Sequence, residues 1–456
     1  MSQIGQGASV GFAAFLELFG GYEPRRHHRT GDEIAAHDDG SRHEELFRVP
    51  NPTCGRLIGV GGIALDVRHH GHAGLEARHT QGKLRKQDQG QRNHHDRVAV
   101  LRGQAAAPVA DNLRCLASEI IFTAGGSESD KLAILGVARR NSRGHIVTTK
   151  IEHRAVLRTC ETLEEQGFDV TYLDVDEYGM VDPNDVVQAL RDDTFLVSIG
   201  HTNNEIGTIQ PIAQISSLIK QHRPEIIFHS DAVQAVGHVE IDVETLGVDL
   251  LSFTAQKFYG PKGIGGLYVR QGVQLQPLIA GTKEERPLEM GTLGVPLIVG
   301  MSLALNYACS NIKNEREYWT PIRDKIIEGL LSIEGSRLNG HPNNRLPTNI
   351  SMCFLGVSSE DLVLQLDRVG ICASTGSACT SGIVEPSHVL TAMGLSRQWA
   401  LGALRLTLGD GCRDLDPFQL IEQIRSIVED LRSTNYSPKR DDYLRASHKE
   451  PVSTLV

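Results

Sequence analysis

The chain has 456 residues, 40% of them hydrophobic and 22% charged, with a formal net charge of -10. Such a length is too great for one compact core and suits two or three domains, mostly globular. The negative balance argues against nucleic acid or an anionic membrane as main partner, and no apolar stretch reads as long enough to cross a bilayer.

Residues 1–114 form an atypical segment. Val10-Gly11-Phe12-Ala13-Ala14-Phe15-Leu16 is broken by Glu17, and no basic residue precedes it, so it does not read as a secretory signal. Runs such as Gly82 to Arg97 are almost wholly polar, with neither helical nor strand periodicity, which predicts irregular chain. The pairs His69-His70 and His94-His95 lack acidic or thiol partners at ligand spacing, so no metal site is expected there. The eight cysteines are scattered, with no zinc spacing among them. A reducing compartment, the cytoplasm, fits this usage.

From Cys115 onward short β-rich runs alternate with amphipathic helical runs. Strands are expected at 119–123, 145–149, 169–175, 195–202, 226–232, 249–255 and 265–270. Helices are expected at 127–141, 153–166, 183–191 and 212–222. This alternation predicts an α/β domain over 115–300 with a mostly parallel seven-stranded sheet covered on both faces. Residues 301–433 read as a smaller α+β C-terminal domain, with helices at 298–312, 318–333 and 415–432 and strands at 348–354 and 403–408. The polar tail 434–456 reads as loose.

In such sheets ligands bind at the carboxyl ends of the strands. The first strand ends in Thr123-Ala124-Gly125-Gly126-Ser127, where a helix starts; free amides and the Ser127 hydroxyl there suit one phosphate. The second ends at Glu152-His153, and the fourth at Asn203-Asn204-Glu205. The fifth ends at Ser230-Asp231 with Gln234 just beyond; a carboxylate there can keep a heterocycle nitrogen protonated. The sixth ends in Thr254-Ala255-Gln256-Lys257. A lysine closing a buried strand is costly unless it is paired or covalently occupied, and an imine to an aldehyde cofactor is one solution. Each motif alone has an ordinary structural reading, as an N-cap, a helix-starting His or a turn lysine. Their shared edge and order make the set specific.

Together with Gly376-Ser377-Ala378-Cys379-Thr380-Ser381-Gly382 and Glu385-Pro386-Ser387-His388, these stretches resemble the cysteine desulfurases of the nitrogen-fixation and iron–sulfur-cluster type, which are fold-type I pyridoxal phosphate enzymes. The resemblance covers about residues 115–430. It implies pyridoxal 5'-phosphate as cofactor, L-cysteine as substrate, an iron–sulfur scaffold or other acceptor as partner, and a homodimer. It also implies roles: Lys257 as the imine lysine, Asp231 against the pyridinium nitrogen, and Gln234 and Asn204 on the phenolic oxygen. His153 stacks on the ring and moves protons. Gly126, Ser127 and Thr254 hold the phosphate, with Thr292 reaching it from the other subunit. Arg405, with Asn204, takes the substrate carboxylate. Cys379, in a mobile loop, is the nucleophile that becomes a persulfide.

A selenocysteine lyase of the same family, or a non-catalytic protein on this scaffold, remains open from sequence. Four departures bear on that. Gln256 stands where the family has His, Lys131 where it usually has Asn, and Glu289 where it has a basic residue. The family's opening Asn-Ala-Thr-Thr strand has no counterpart in residues 1–114. A shifted reading frame or replaced segment would explain the last. The other two frames of the gene test this, since a shift requires one of them to encode that strand.

Overall fold

The structure, a computed structural model, describes residues 102–279, 288–289, 294–375 and 385–434. The chain within it opens on a helix, α1 (102–113), in a stretch that sequence alone assigns to irregular chain. Its Ala105, Ala106, Val109, Ala110 and Leu113 are buried against the main core. The helical spacing is real but short and rich in alanine, so it is easily lost behind the polar run before it.

Seven strands follow: β1 (Ile120–Thr123), β2 (His145–Thr149), β3 (Asp169–Leu173), β4 (Thr194–Ser198), β5 (Ile227–Asp231), β6 (Leu250–Thr254) and β7 (Gly265–Val269). They form one sheet in the order β1-β7-β6-β5-β4-β2-β3. Neighbours are parallel except at β7, which runs antiparallel to both β1 and β6. The expected mostly parallel seven-stranded α/β sheet is therefore present. The crossovers between its parallel strands carry α2 (Gly126–Ala138), α3 (Arg154–Glu165), α4 (Pro183–Ala189), α5 (Ile212–His222) and the one-turn α6 (Val243–Leu246).

Strand side chains alternate between two faces. Ile120, Phe122, Leu251, Phe253 and Tyr268 enter one apolar cluster with α1 and α5. Ile121, Leu250, Leu267 and Val269 enter another with Leu132, Ile134 and Val137 of α2. Burial on both sides is why these strands read as near-continuous apolar runs.

A single helix, α7 (Val295–Leu331), replaces the two expected at 298–312 and 318–333. The polar stretch between them is exposed rather than a break, and Pro321 lies inside the helix. Packing at both ends overrides that local signal. Ile298, Met301 and Leu305 sit in the large-sheet core, whereas Trp319, Ile326, Ile327 and Leu330 sit in a separate core. The sequence boundary at 300/301 thus falls within one helix. By length and composition α7 also contains an 18-residue window of mean hydropathy 1.4, long enough to cross a membrane, contrary to the sequence reading. Here the helix lends its buried residues to the two cores.

The second core lies under an antiparallel sheet, β8 (Ser336–Leu338), β9 (Asn349–Phe354) and β10 (Ala403–Thr407), in the order β10-β9-β8. Four helices accompany it: α8 (Ser359–Arg368), α9 (His388–Ala392), α10 (Arg397–Ala400) and α11 (Pro417–Thr434). Strand β8 is too short and polar to stand out in sequence. Thr292, Cys379 and the tail after 434 lie outside the described residues, as does the chain before 102.

Candidate active site

A cavity of about 470 Å³ opens at the carboxyl ends of the strands. Every described residue given a site role from sequence lines it: Gly126, Ser127, His153, Asn204, Asp231, Gln234, Thr254, Lys257 and Arg405.

One end of the cavity is the N-terminus of α2, whose N-cap, Gly125, supplies no side-chain cap. The backbone must pass close here: a Cβ on Gly126 would lie 2.6 Å from Val233 Cγ2, and one on Gly265 would lie 2.8 Å from Gly125 Cα. The helix therefore presents its first amides to the cavity beside Ser127 and Thr254, a cradle suited to an anion. The Thr254 hydroxyl is oriented by a bond to the Ile264 carbonyl at 3.2 Å.

Another wall is acidic, with Asp130 and Glu152 buried and Asp231 half-buried. Asp231 Oδ1 accepts the Val233 N–H at 2.9 Å. One ligand atom each from Asp130, His153 and Asp231 lies within 4.8 Å of the others. Burial holds the Asp231 carboxyl above its usual range, opposed by the Val233 amide, His153 and Lys257. Asp130 is pushed up further, by burial and then by the Asp231 charge. Asp130 Oδ1 is buried without a hydrogen-bond partner. Behind them, Glu152 accepts the Gly200 N–H at 3.0 Å on each carboxylate oxygen and the Thr149 hydroxyl at 2.8 Å. Burial still raises Glu152 to about 7. His153 caps α3, its Nδ1 accepting the Ala155 N–H at 3.1 Å. That contact assigns the lone pair to Nδ1 and a proton to Nε2.

Lys257 stands in the tight turn Ala255–Phe258 that follows β6. The turn is held by His238, whose Nε2 donates to the Lys257 carbonyl at 2.7 Å. Burial and the nearby Arg405 guanidinium lower the lysine's pKa, against the pull of Asp231. A lysine lowered in this direction gives up its proton more readily than a free one, which suits an amine that must act as a nucleophile. Arg405, on β10, crosses to the large sheet, and its Nη1 donates to the Asn204 carbonyl at 2.9 Å.

The departures from the family pattern find places too. Gln256 is exposed at the cavity rim. Lys131 is exposed on α2. Glu289 is buried, pairs with Arg102 of α1 and accepts the Phe122 N–H at 3.3 Å. Its charge is thus neutralised by Arg102, and it does not line the cavity. Sequence reasoning gave no role to Asp130, Glu152 and Gly200. Each supports the acidic wall, and only the strand-end position of Glu152 hinted at it.

Anion cradle, lysine amine and the Asp231 carboxyl of the acidic wall match the three ends of pyridoxal phosphate: phosphate, aldehyde and ring nitrogen. A fold-type I pyridoxal phosphate enzyme is the class these features define. Aminotransferase class-V is the family description that matches, over residues 86–409. The chain is 49% identical over 336 residues to "Cysteine desulfurase IscS" of Methanosarcina thermophila, covering 73% of this chain and 82% of that one. It is 45% identical to the protein of the same name from Dictyoglomus turgidum, covering 75% and 86%. Among solved structures, a "NIFS-LIKE PROTEIN" superposes with a TM-score of 0.65 at 34% identity, covering 75% of this chain and 88% of that one. "SspA in complex with cysteine" superposes at 0.60 and 37%, covering 69% and 88%. The chain belongs to the cysteine desulfurases, within the class-V aminotransferases.

Proposed function

We propose that this chain removes sulfur from L-cysteine, releasing L-alanine, and holds the sulfur as a persulfide on Cys379 for transfer to an iron–sulfur scaffold. The observation that carries this reading is the convergence of Lys257, Asp231, His153 and Arg405 on one cavity, in a member of the cysteine desulfurase family. Pyridoxal phosphate supplies an aldehyde for the lysine and a ring that draws electrons from the substrate α-carbon.

The chain's own residues divide the remaining work. Gly126, Ser127 and Thr254 hold the phosphate, and Thr292 of a second subunit completes that contact in a homodimer. Asp231 faces the ring nitrogen and keeps a proton on it. Burial raises the Asp231 carboxyl, so a cationic partner there favours its charged form. His153 stacks on the ring with its Nε2 proton available for exchange. Gln234 and Asn204 orient the phenolic oxygen. Arg405 takes the substrate carboxylate, a planar bidentate role that a lysine would not fill. Lys257, with its lowered pKa, accepts the substrate α-proton at Nζ. The Cys379 thiolate then forms a bond to the substrate sulfur as the substrate Cβ–S bond breaks; Cβ gains a proton, a proton returns to Cα from Lys257 Nζ, and alanine leaves.

Six cysteines among the described residues are free, in keeping with a reducing cytoplasm. The test adds L-cysteine and a reductant to the purified protein and measures sulfide and alanine. Cys379→Ala is expected to keep the cofactor's visible absorption and to lose sulfide release by a hundredfold or more, an order set by removal of a nucleophile (roughly 10²-fold upward). Sulfide release undiminished in Cys379→Ala would overturn the role of that cysteine. Absence of cofactor absorption with Lys257 intact would overturn the site.

A further inference from the structure

Besides the Leu346 amide, which donates to the Gly207 carbonyl at 3.0 Å, the segment Asn203–Gly207, which follows β4, is tied to the small-sheet side at four points. The Arg405 guanidinium donates to the Asn204 carbonyl at 2.9 Å. Asn349 Nδ2, on β9, donates to the Glu205 carbonyl at 3.3 Å. Arg345 Nη2 donates to the Ile206 carbonyl at 3.1 Å. The fourth tie runs between side chains: the Ser387 hydroxyl donates to Glu205 Oε2 at 2.5 Å. Both residues are buried, at 6% and 2% exposed, so little water competes for that bond. Ser387 Oγ also accepts the Val389 and Leu390 amides at 3.1 and 3.3 Å, which uses its remaining capacity and fixes its rotamer. From the large-sheet side, Asn203 Oδ1 accepts the Glu205 and Ile206 amides at 2.8 and 3.1 Å.

We propose that Glu205 is a positioning residue: gripped by Ser387 and Asn349, it fixes the neighbouring Asn204 carbonyl that aims the Arg405 guanidinium at the substrate carboxylate. The inference rests on the proposed role of Arg405. A hydrogen-bonded guanidinium has lost its rotamer freedom before substrate arrives, so substrate binding need not supply that entropy. Burial raises the Glu205 carboxyl to about 7, against Ser387, Arg405 and Arg154. Its hold on Ser387 therefore rests on the hydrogen bond, which an amide at this position could also accept.

The holoenzyme carrying Glu205→Ala, Ser387→Ala or Glu205→Gln tests this. Three quantities are read: cofactor content, the KM and kcat for L-cysteine, and the dissociation constant of L-alanine from the cofactor's spectral change. Glu205→Ala and Ser387→Ala are expected to load cofactor normally and to raise both KM and the alanine constant roughly tenfold, the scale of one hydrogen bond to a charged group. Glu205→Gln, which retains an acceptor for Ser387, recovers most of that loss. Where the Ser387 change unsettles α9, Glu205→Ala leaves the helix cap untouched and carries the test alone. Combined with Arg405→Ala, neither substitution is expected to weaken alanine binding further, because each acts through that arginine.

Wild-type alanine affinity in a loaded Glu205→Ala protein overturns the proposal. So does a fall in kcat with KM unchanged, or an undiminished effect in the Arg405→Ala background. A wild-type protein that loads cofactor but neither binds alanine nor turns over cysteine instead overturns the functional reading, whatever the variants do.

Discussion

Glu152 shows how a single carboxyl can set a pH dependence. It is buried, and its pKa moves from the ordinary 4.5 up to about 7. A carboxyl whose folded pKa is raised binds its proton more tightly in the folded state. Its contribution to stability is therefore complete below about pH 4.5 and is lost as the pH rises through about 7. His201 and His229, held neutral by burial at about 4 and about 3, act in the opposite sense. Their contribution is complete above the usual histidine range and is lost as the pH falls. Glu152→Gln isolates the first effect. Its stability should match wild type near pH 5 and exceed it at pH 8 by about 1–2 kcal/mol, read as a higher melting temperature. A constant offset across that range would mean that Glu152 does not titrate as its burial implies. At the N-terminus of α2, Gly126→Ala places a Cβ within 2.6 Å of Val233. Cofactor affinity should fall about tenfold or more, with stability changed by about 1–3 kcal/mol; equilibrium dialysis of the cofactor and thermal melting read the two effects. At this scale Lys257 and Asp231 were legible because charged groups at strand ends are conspicuous in sequence, whereas Arg405, midway along β10, was reached only through the family resemblance. Asp130 and Glu152 were not, because the burial that shifts them comes from residues distant in the chain.

Among the elements, the seven strands of the large sheet lie within a few residues of their expected limits, for a physical reason. Doubly buried parallel strands must be apolar throughout, and Gly, Pro or capping residues end them. Elements fixed by tertiary packing escaped notice: α1, whose alanines only show their purpose against Phe122 and Phe253, and α7, read as two helices. Pro321 carries a prediction about α7. It is exposed, so Pro321→Ala removes no packing and restores an interior helix hydrogen bond. The variant should be more stable by about 1–3 kcal/mol, seen as a higher melting temperature at unchanged cofactor content. An unchanged or lower melting temperature would show that the proline is accommodated without cost.

For the molecule as a whole, the candidate site depends on two sheets. Lysine, anion cradle and acidic wall come from the large sheet, and Arg405 comes from β10. Arg345 reinforces the junction: it is buried, donates to the Asn339 and Ile206 carbonyls and to Asn349 Oδ1, and burial lowers it to about 9. This joint could not be read from sequence, where Asn339 and Arg345 look like ordinary loop polar residues and Asn349 like the polar start of a strand.

Helix α7 belongs to both cores at once. Its 37 residues span about 55 Å at the usual rise, so melting either core frays the same backbone hydrogen-bond ladder. The molecule should then unfold as one thermodynamic unit over its described part. Tryptophan fluorescence can report this. The chain has two tryptophans, and Trp319 is buried in the small-sheet core with its indole N–H on Glu315 at 2.7 Å. Helical circular dichroism sums over both cores. Denaturant curves from the two signals should superimpose. A tryptophan transition that precedes the helical one would mean that α7 breaks midway and that the cores part company before either is lost.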